Sequence, residues 1–153
     1  MGLTRRGKGT TVMGVADGHG LPLASLVAGA QQAEVHLAEA TLDRVRVPRA
    51  GRGRPKQRPR ELVADKGYDS RALRMALRRR GIRACIPRLR NRRPRPGRRP
   101  DLTGYRSRWV VERTFAWLGA LRRLLVRHER LASVSQGFLT LACALLALRR
   151  VLQ

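Results

Sequence analysis

The order of apolar and polar residues divides the chain into short strands and amphipathic helices. Two β-rich runs, residues 11–16 and 21–28, flank the turn sequence Asp17-Gly18-His19-Gly20. Glycines in such a turn supply the positive φ of a tight connection, so the pattern predicts a hairpin with Asp17 as a turn residue. Apolar residues at helical spacing over residues 32–45 then predict an amphipathic helix.

The middle of the chain predicts a further strand–helix–strand unit. A short apolar run over 61–65 predicts a buried strand, and residues 70–81 predict a helix with Ser70 or Asp69 as its cap and Gly81 as its stop. Residues 82–87 predict another strand, ended by Pro87.

Two helices are predicted to close the chain. From about Leu102 a long apolar stripe runs at helical spacing, and a second helix follows at about 133–152. The residues of the stripe are Trp109, Val110, Phe115, Trp117, Leu118, Leu121, Leu124 and Leu125. The predicted order β-β-α-β-α-β-α-α favours a mixed α/β sheet with helices on its faces.

The composition and net charge of the chain indicate which class of molecule it binds. The 153 residues make one domain or part of one, and a hydrophobic content of 42% argues against wholesale disorder. The net charge is +24, from 34 Lys and Arg against 10 Asp and Glu. Most of the excess is Arg, whose planar fork matches phosphate, so we expect nucleic acid as the partner and not a membrane surface.

Much of this charge lies in two Pro- and Gly-rich loops, residues 46–60 and 88–100. Loops of this length inside a domain are usually functional or flexible, and we expect both to be exposed and to contact the DNA backbone. The residues expected to bind DNA are Arg52, Arg54, Lys56, Arg58, Arg90, Arg92 and Arg93 in these loops, with Arg122 and Arg123 further along.

The cysteines, the histidines and the apolar C-terminal segment do not predict a further functional site. Cys85 and Cys143 form no Cys-x-x-Cys pair, and we expect two small buried hydrophobes in a reducing cytosol. The three His match no zinc spacing. The tail, residues 137–153, is interrupted by Arg149 and Arg150, so we expect a packed terminal helix, no membrane span and no secretory signal.

Carboxylates in so basic a chain are candidate functional groups. In "ELVADKGYDS", residues 61–70, Asp65 closes the predicted strand, where a turn role and a functional role are both open. Asp69 precedes a helix and is expected to cap it. Tyr105, Arg108 and Glu112 are predicted to share one helix face, and periodicity alone favours an exposed Arg108–Glu112 pair worth only about 0.3–0.5 kcal/mol.

Together these segments resemble a known family. "LVADKGYDS", followed about fifty residues later by "YRSRWVVERTFAWLGALRRL", is similar to the catalytic core of bacterial insertion-sequence transposases of the DDE class, within the insertion sequence four/five superfamily. The likeness covers nearly the whole chain, residues 2–150, and implies that residues 1–153 are part of one catalytic domain. It implies a ribonuclease-H-like α/β fold and an enzyme that cuts and rejoins DNA with two divalent metal ions, Mg²⁺ or Mn²⁺.

The resemblance assigns roles residue by residue. Asp65 matches the second metal-binding Asp and Glu112 the metal-binding Glu, while Tyr105 and Arg108 complete a Tyr-x-x-Arg-x-x-x-Glu signature. The family's downstream Lys falls on Gly119, so Arg122 or Arg123 is expected to supply that charge.

The first catalytic Asp has no match. In the family it lies on the first strand, before the region equivalent to "GLTRRGKGT", where this sequence starts. We therefore expect the C-terminal part of a catalytic domain, lacking its first strand and inactive alone. Its expected partners are double-stranded transposon ends, an upstream transposase segment and a second copy, in the bacterial cytoplasm at the nucleoid. The alternatives are a non-catalytic basic DNA-binding fragment and a basic ribosomal or nucleoid protein.

Overall fold

A computed structural model describes residues 2–4, 7–89 and 100–152, with side chains from residue 9 onward. The strands are β1 (Gly2–Thr4), β2 (Gly7–Ala16), β3 (Pro22–Gly29), β4 (Glu61–Val63) and β5 (Arg83–Cys85). The α-helices are α1 (Glu34–Leu42), α2 (Arg71–Arg79), α3 (Trp109–Gly119), α4 (Arg122–Leu125) and α5 (Ala132–Val151). Short 3₁₀ turns, Lys66–Tyr68 and Thr103–Arg108, precede α2 and α3.

The predicted hairpin is confirmed. β2 and β3 pair antiparallel, and β1 adds three residues to the outer edge of β2. Asp17 has the predicted turn role, because its Oδ1 accepts from the backbone N–H groups of His19 and Leu21, both at 2.9 Å. Gly20 supplies the positive φ of the turn, 87°.

The second unit is also formed, with shorter elements than predicted. β4 and β5 are parallel and three residues long, and α2 crosses between them. Ser70 caps α2 by accepting from Leu73 N–H at 3.0 Å, and Gly81 ends this segment at φ 66°. Leu73, Ala76 and Leu77 lie on the buried stripe of α2, and each leucine contributes about 1.5–3 kcal/mol by leaving water.

Helices cover both faces of the β2–β3 hairpin. On one face, Met13 of β2 packs in a core with Leu37 and Leu42 of α1 and with Leu77 of α2. On the other face α3 and α5 pack, and Leu118 and Leu139 anchor a second, smaller core. This layering, with helices on two sides of a sheet, confirms an α/β fold.

The predicted single mixed sheet is not what the described residues form. β1–β2–β3 is one sheet and β4–β5 another, with no strand joining them in the described part of the chain. The cleft described below lies between them and is lined by Val12 and Gly14 of β2 and by Glu61 and Val63 of β4.

The apolar stripe of the last helices is less buried than predicted. Val110 and Leu118 are buried, but Trp109, Phe115, Trp117 and Leu125 are exposed. The stripe is divided by the end of α3 at Gly119, so one amphipathic face does not continue along it. α5 buries Leu139 and Ala142 and leaves an apolar outer face; its length and composition are also those of a membrane-crossing helix.

Candidate active site

Asp65 lies in the turn that leaves β4. Its backbone is extended, and its Oδ1 accepts from Lys66 N–H at 2.6 Å, which starts the 3₁₀ turn Lys66–Tyr68. The side chain is exposed, and its second oxygen, Oδ2, has no hydrogen-bond partner among the described residues. Asp65 therefore acts locally as a turn residue and still presents a free carboxylate oxygen to solvent.

The Tyr-x-x-Arg-x-x-x-Glu segment meets Asp65 at the start of α3. Tyr105 and Arg108 lie in the 3₁₀ turn and not in the helix itself, which corrects the single helix face predicted from the spacing. The Tyr105 hydroxyl donates a long hydrogen bond, 3.4 Å, to Asp65 Oδ1. Arg108 pairs with Glu112 as predicted. The first residue of the signature thus contacts the strand-end Asp, and its Arg and Glu pair with each other further along the segment.

Electrostatics link Arg108 to both acids. The hydrogen bond from Arg108 to Glu112 and the charge of Glu112 raise the pKa of the arginine, and the charge of Asp65 contributes a smaller effect in the same direction. Side-chain exposure is 36% for Arg108 and 55% for Glu112, so solvent screens this pair and its contribution to folding is small. The Arg108–Glu112 pair by itself is an ordinary surface ion pair. A surface ion pair does not account for the hydrogen bond between Tyr105 and Asp65.

A cleft of about 750 Å³ opens beside this cluster. Asp65 and Arg108 line it, together with residues of β2, β4, α1 and α3. Tyr68 also lines it and donates from its hydroxyl to Glu34 Oε2 at 2.7 Å. Burial and, after it, the hydrogen bond and charge of the Glu34 carboxylate raise the pKa of Tyr68.

The donor set fits a hard cation but is small. Asp65 and Glu112 both offer exposed carboxylate oxygens, the ligand type preferred by Mg²⁺ and Mn²⁺. Within the described residues, no group of three His, Cys, Asp or Glu is placed to hold a metal ion. Two-metal sites for phosphoryl transfer need further oxygen ligands. The assignment of Asp65 and Glu112 as metal ligands therefore stays a prediction.

The basic residues expected to contact DNA have different surroundings. Arg52, Arg54, Lys56 and Arg58 are all exposed, on a loop that closes through a Val47–Lys56 bridge. The expectation that residues 46–60 lie outside the core is thus confirmed. Arg90, Arg92 and Arg93 lie outside the described residues.

The two arginines after Gly119 also differ. Arg122 is exposed and makes no ion pair with a described residue. Arg123 pairs with Glu129 at 2.9 Å and lies over the Phe138 ring. Of the two residues expected to replace the family's Lys, Arg122 is the one with a free guanidinium.

Sequence reasoning misjudged Asp69. We expected a helix cap, but Ser70 takes that role, and Asp69 is 3% exposed and pairs with Arg74 at 2.8 Å. Its other oxygen accepts from Leu89 N–H at 3.1 Å. Asp69 therefore ties α2 to the segment after β5, and the Arg five residues later was the only sequence signal for this.

An aromatic–arginine cluster on α3 was also missed. The Arg113 guanidinium lies 4.7 Å from the Trp109 ring and 4.9 Å from the Trp117 ring. Arg113 also donates to the His19 carbonyl at 2.8 Å, which fixes α3 to the hairpin turn. The spacing Trp-x3-Arg-x3-Trp places the three side chains one turn apart and could have indicated the cluster.

Comparison with known proteins gives the family. The family model described as "Transposase DDE domain" matches residues 4–147. The chain belongs to this family of DDE transposases. It is 45% identical over 132 residues to a Burkholderia cepacia protein named "Putative transposase for insertion sequence element IS402".

The match covers 86% of this chain but 59% of that relative, so the chain spans about three fifths of the relative's length. No solved structure matches the chain. Membership in the family rules out a basic ribosomal or nucleoid protein and identifies the chain as part of a transposase enzyme family.

Proposed function

We propose that this chain is the C-terminal part of a ribonuclease-H-like catalytic domain that cleaves and joins DNA strands at the ends of an insertion sequence. The observation that carries the proposal is the meeting of Asp65 with the Tyr105–Arg108–Glu112 segment across 40 residues of chain. A structural turn and a surface ion pair would have no reason to lie together at the edge of one cleft.

In this proposal Asp65 and Glu112 hold the divalent metal ions. Mg²⁺ or Mn²⁺, when bound, would stabilise the attacking and leaving oxygens of the phosphoryl transfer. Tyr105 orients the Asp65 carboxylate through its hydroxyl. Arg108 holds Glu112 until the site is filled, and its guanidinium is then free to contact a phosphate oxygen.

Residues that bind DNA and a third metal-binding carboxylate are also needed for this reaction. The exposed loop 46–60 and Arg122 contact the phosphate backbone of double-stranded DNA, as expected for a chain of charge +24. A third carboxylate comes from a segment outside this sequence, so the chain alone binds metal weakly and does not cleave. We place its action in the bacterial cytoplasm at the nucleoid.

Metal binding tests the two acids without any need for activity. We expect weak Mn²⁺ binding, measured by electron paramagnetic resonance, to be lost in Asp65→Asn and in Glu112→Gln. Asp43→Asn is the matched control, because Asp43 is an exposed acid that also pairs with an arginine, Arg80. Equal Mn²⁺ binding by all four proteins would contradict the assignment.

Cleavage of a labelled transposon-end duplex tests the reaction itself. We expect no cleavage by this chain alone and metal-dependent cleavage when the upstream segment of the transposase is added. The second candidate function is a non-catalytic DNA-binding fragment, favoured by the lack of a three-acid group among the described residues. DNA binding without cleavage in both reactions would select it.

A further inference from the structure

Helix α5 has a second apolar face that the core does not use. Its inner face packs on the hairpin and on α3 through Leu139 and Ala142, which are 2% and 3% exposed. Its outer face is also apolar but open to solvent, with Leu141 58% exposed and Leu148 53%. Residues 131–148 contain no charged side chain, although the chain as a whole has a net charge of +24. The outer face therefore lacks the polar residues typical of a helix face in contact with water.

Apolar residues on this outer face follow alternating steps of four and three residues. They are Val134, Phe138, Leu141, Leu145, Leu148 and Leu152. All are exposed except Phe138, which is half-buried beneath the Arg123 guanidinium. This is the spacing of a helix that packs along a second helix, and we call these six residues the seam. A seam along a 20-residue helix about 30 Å long predicts a helix as its partner.

The seam is complementary to itself. When two copies of α5 lie antiparallel about a two-fold axis midway between Leu141 and Leu145, Leu141 of each copy faces Leu145 of the other. The other four positions match in the same way, Phe138 with Leu148 and Val134 with Leu152. A symmetric pair therefore covers the whole seam without any further chain.

Charge favours the antiparallel pair over a parallel one. Arg149 and Arg150 are both exposed and lie at the C-terminal end of α5. A parallel pair would bring these arginines of both copies together, and juxtaposed like charges are unfavourable. The antiparallel pair places them at opposite ends of the interface.

The area of the seam also fits a second copy. At the exposures observed, its side chains leave on the order of 500 Å² of apolar surface open to water. Because a second copy brings the same seam, the pair buries about 1,000 Å², which is near the lower limit of specific interfaces. A contact of this size predicts a weak, reversible dimer.

A membrane is a less suitable partner for this face, although the composition of α5 would allow one. Gln136 accepts from the Val27 N–H, and Leu139 and Ala142 are buried in the second core. A membrane-crossing α5 would lose these contacts and place the Gln136 amide in hydrocarbon, where an unpaired polar group is costly.

We propose that two copies of this chain associate through the seam of α5, as an antiparallel helix pair. This inference goes beyond the proposed function, because the pairing of two apolar helix faces requires neither metal nor DNA.

Sedimentation velocity tests the inference on the chain as it stands. The samples contain EDTA, no DNA and about 0.5 M salt, which screens the repulsion between two chains of charge +24. We expect a monomer–dimer equilibrium in the micromolar range, as for an interface of this size. A chain that stays monomeric at about 1 mM would overturn the proposal and leave the seam to another part of the longer transposase.

Two charge variants locate the interface. Leu145→Asp, at a residue 45% exposed, places an unpaired charge near the centre of the pair and should raise the dimer Kd by about a hundredfold or more. Met75→Asp is the matched control, because Met75 is 49% exposed on α2, which packs on the other face of the hairpin. Circular dichroism confirms the folding of both. An equal Kd for the two variants would place the contact elsewhere and overturn the proposal.

Disulfide formation tests the antiparallel arrangement. A mixture of Phe138→Cys and Leu148→Cys chains should form a mixed disulfide, because these positions face each other across the pair. Neither chain alone should form one, since its two introduced thiols lie ten residues apart along the helices, about 15 Å. Both chains also carry Cys143→Ser, which removes the native thiol of α5. Disulfides within each single variant, or none in the mixture, would overturn the arrangement.

Flotation with neutral phosphatidylcholine vesicles tests the membrane alternative. Neutral lipid avoids attraction by the net charge of the chain, and we expect the protein to stay in the unbound fraction. Flotation of this chain that Leu145→Asp abolishes would mean that the seam contacts lipid, and would overturn the proposal.

Discussion

Asp65 and Asp69 are four residues apart and have opposite surroundings. Asp65 is exposed at the mouth of the cleft, while Asp69 is buried and paired with Arg74. When one member of a buried ion pair is removed, the other member stays buried. It then keeps the free-energy cost of desolvation and loses the attraction that compensated for it. The two acids therefore divide into one available for function and one required for folding.

Removing these two carboxylates is expected to affect stability very unequally. Asp69→Ala should lower the free energy of unfolding by about 3 kcal/mol, because it strands Arg74 and the Leu89 N–H. Asp65→Ala should change it by less than about 0.5 kcal/mol, as for other exposed sites. Urea unfolding followed by circular dichroism measures both, and equal losses would show that Asp65 is structural.

At the scale of elements, Gln136 fixes α5 to the strands of the hairpin, and Arg150 near the end of α5 donates to the His19 carbonyl of its turn at 2.9 Å. Gln136 Oε1 accepts from Val27 N–H at 2.8 Å, and its Nε2 donates to Ser25 Oγ at 3.2 Å. The first of these bonds satisfies one backbone group on the outer edge of β3, which has no further strand beside it in the described residues. The helix thus covers an edge as well as a face.

Loss of this side chain should loosen α5. Gln136→Ala leaves the Val27 N–H without a partner in a half-buried position, and we expect a loss of about 1–3 kcal/mol in unfolding free energy. Thr140→Ala, one turn later, removes two exposed bonds within the helix, one to the Gln136 carbonyl and a long one from Gln136 Nε2, and should cost about 0.5 kcal/mol or less. Chemical denaturation measures the unfolding free energy of both variants. Similar losses in Gln136→Ala and Thr140→Ala would contradict the edge-covering role of Gln136.

At the scale of the whole molecule, the distribution of charge supports the proposed DNA binding. The loop 46–60 carries a series of exposed cations and no acid. Each phosphate that a cation neutralises releases counterions, so binding strength falls with salt in proportion to the number of phosphates bound.

The loop's share of DNA binding can be measured from this salt dependence. Replacing four of its exposed cations by Gln should reduce the slope of log Kobs against log salt by about 0.9 for each phosphate that is no longer bound. The residues are Arg52, Arg54, Lys56 and Arg58. A control with Gln at Arg71, Arg78, Arg79 and Arg149 removes the same charge elsewhere, and equal slopes for both variants would mean that the loop has no special role.

Local patterns in the sequence determined most of the elements and the family. Alternation and glycine chemistry predicted the hairpin and its Asp17 turn, and helical spacing predicted α1, α2 and α5 to within a few residues. The motifs around Asp65 and Glu112 indicated a DDE transposase because their residue types and order are preserved along the chain.

Only the tertiary structure decided what long-range packing controls. It buried Asp69 against Arg74, exposed the tryptophans of α3, and divided the expected sheet into two with a cleft between their free edges. Residue spacing reports which side chains share a local face, but not which faces find a partner. The cleft is formed by elements that are distant in sequence, so the pattern of residues within any one of them could not reveal it.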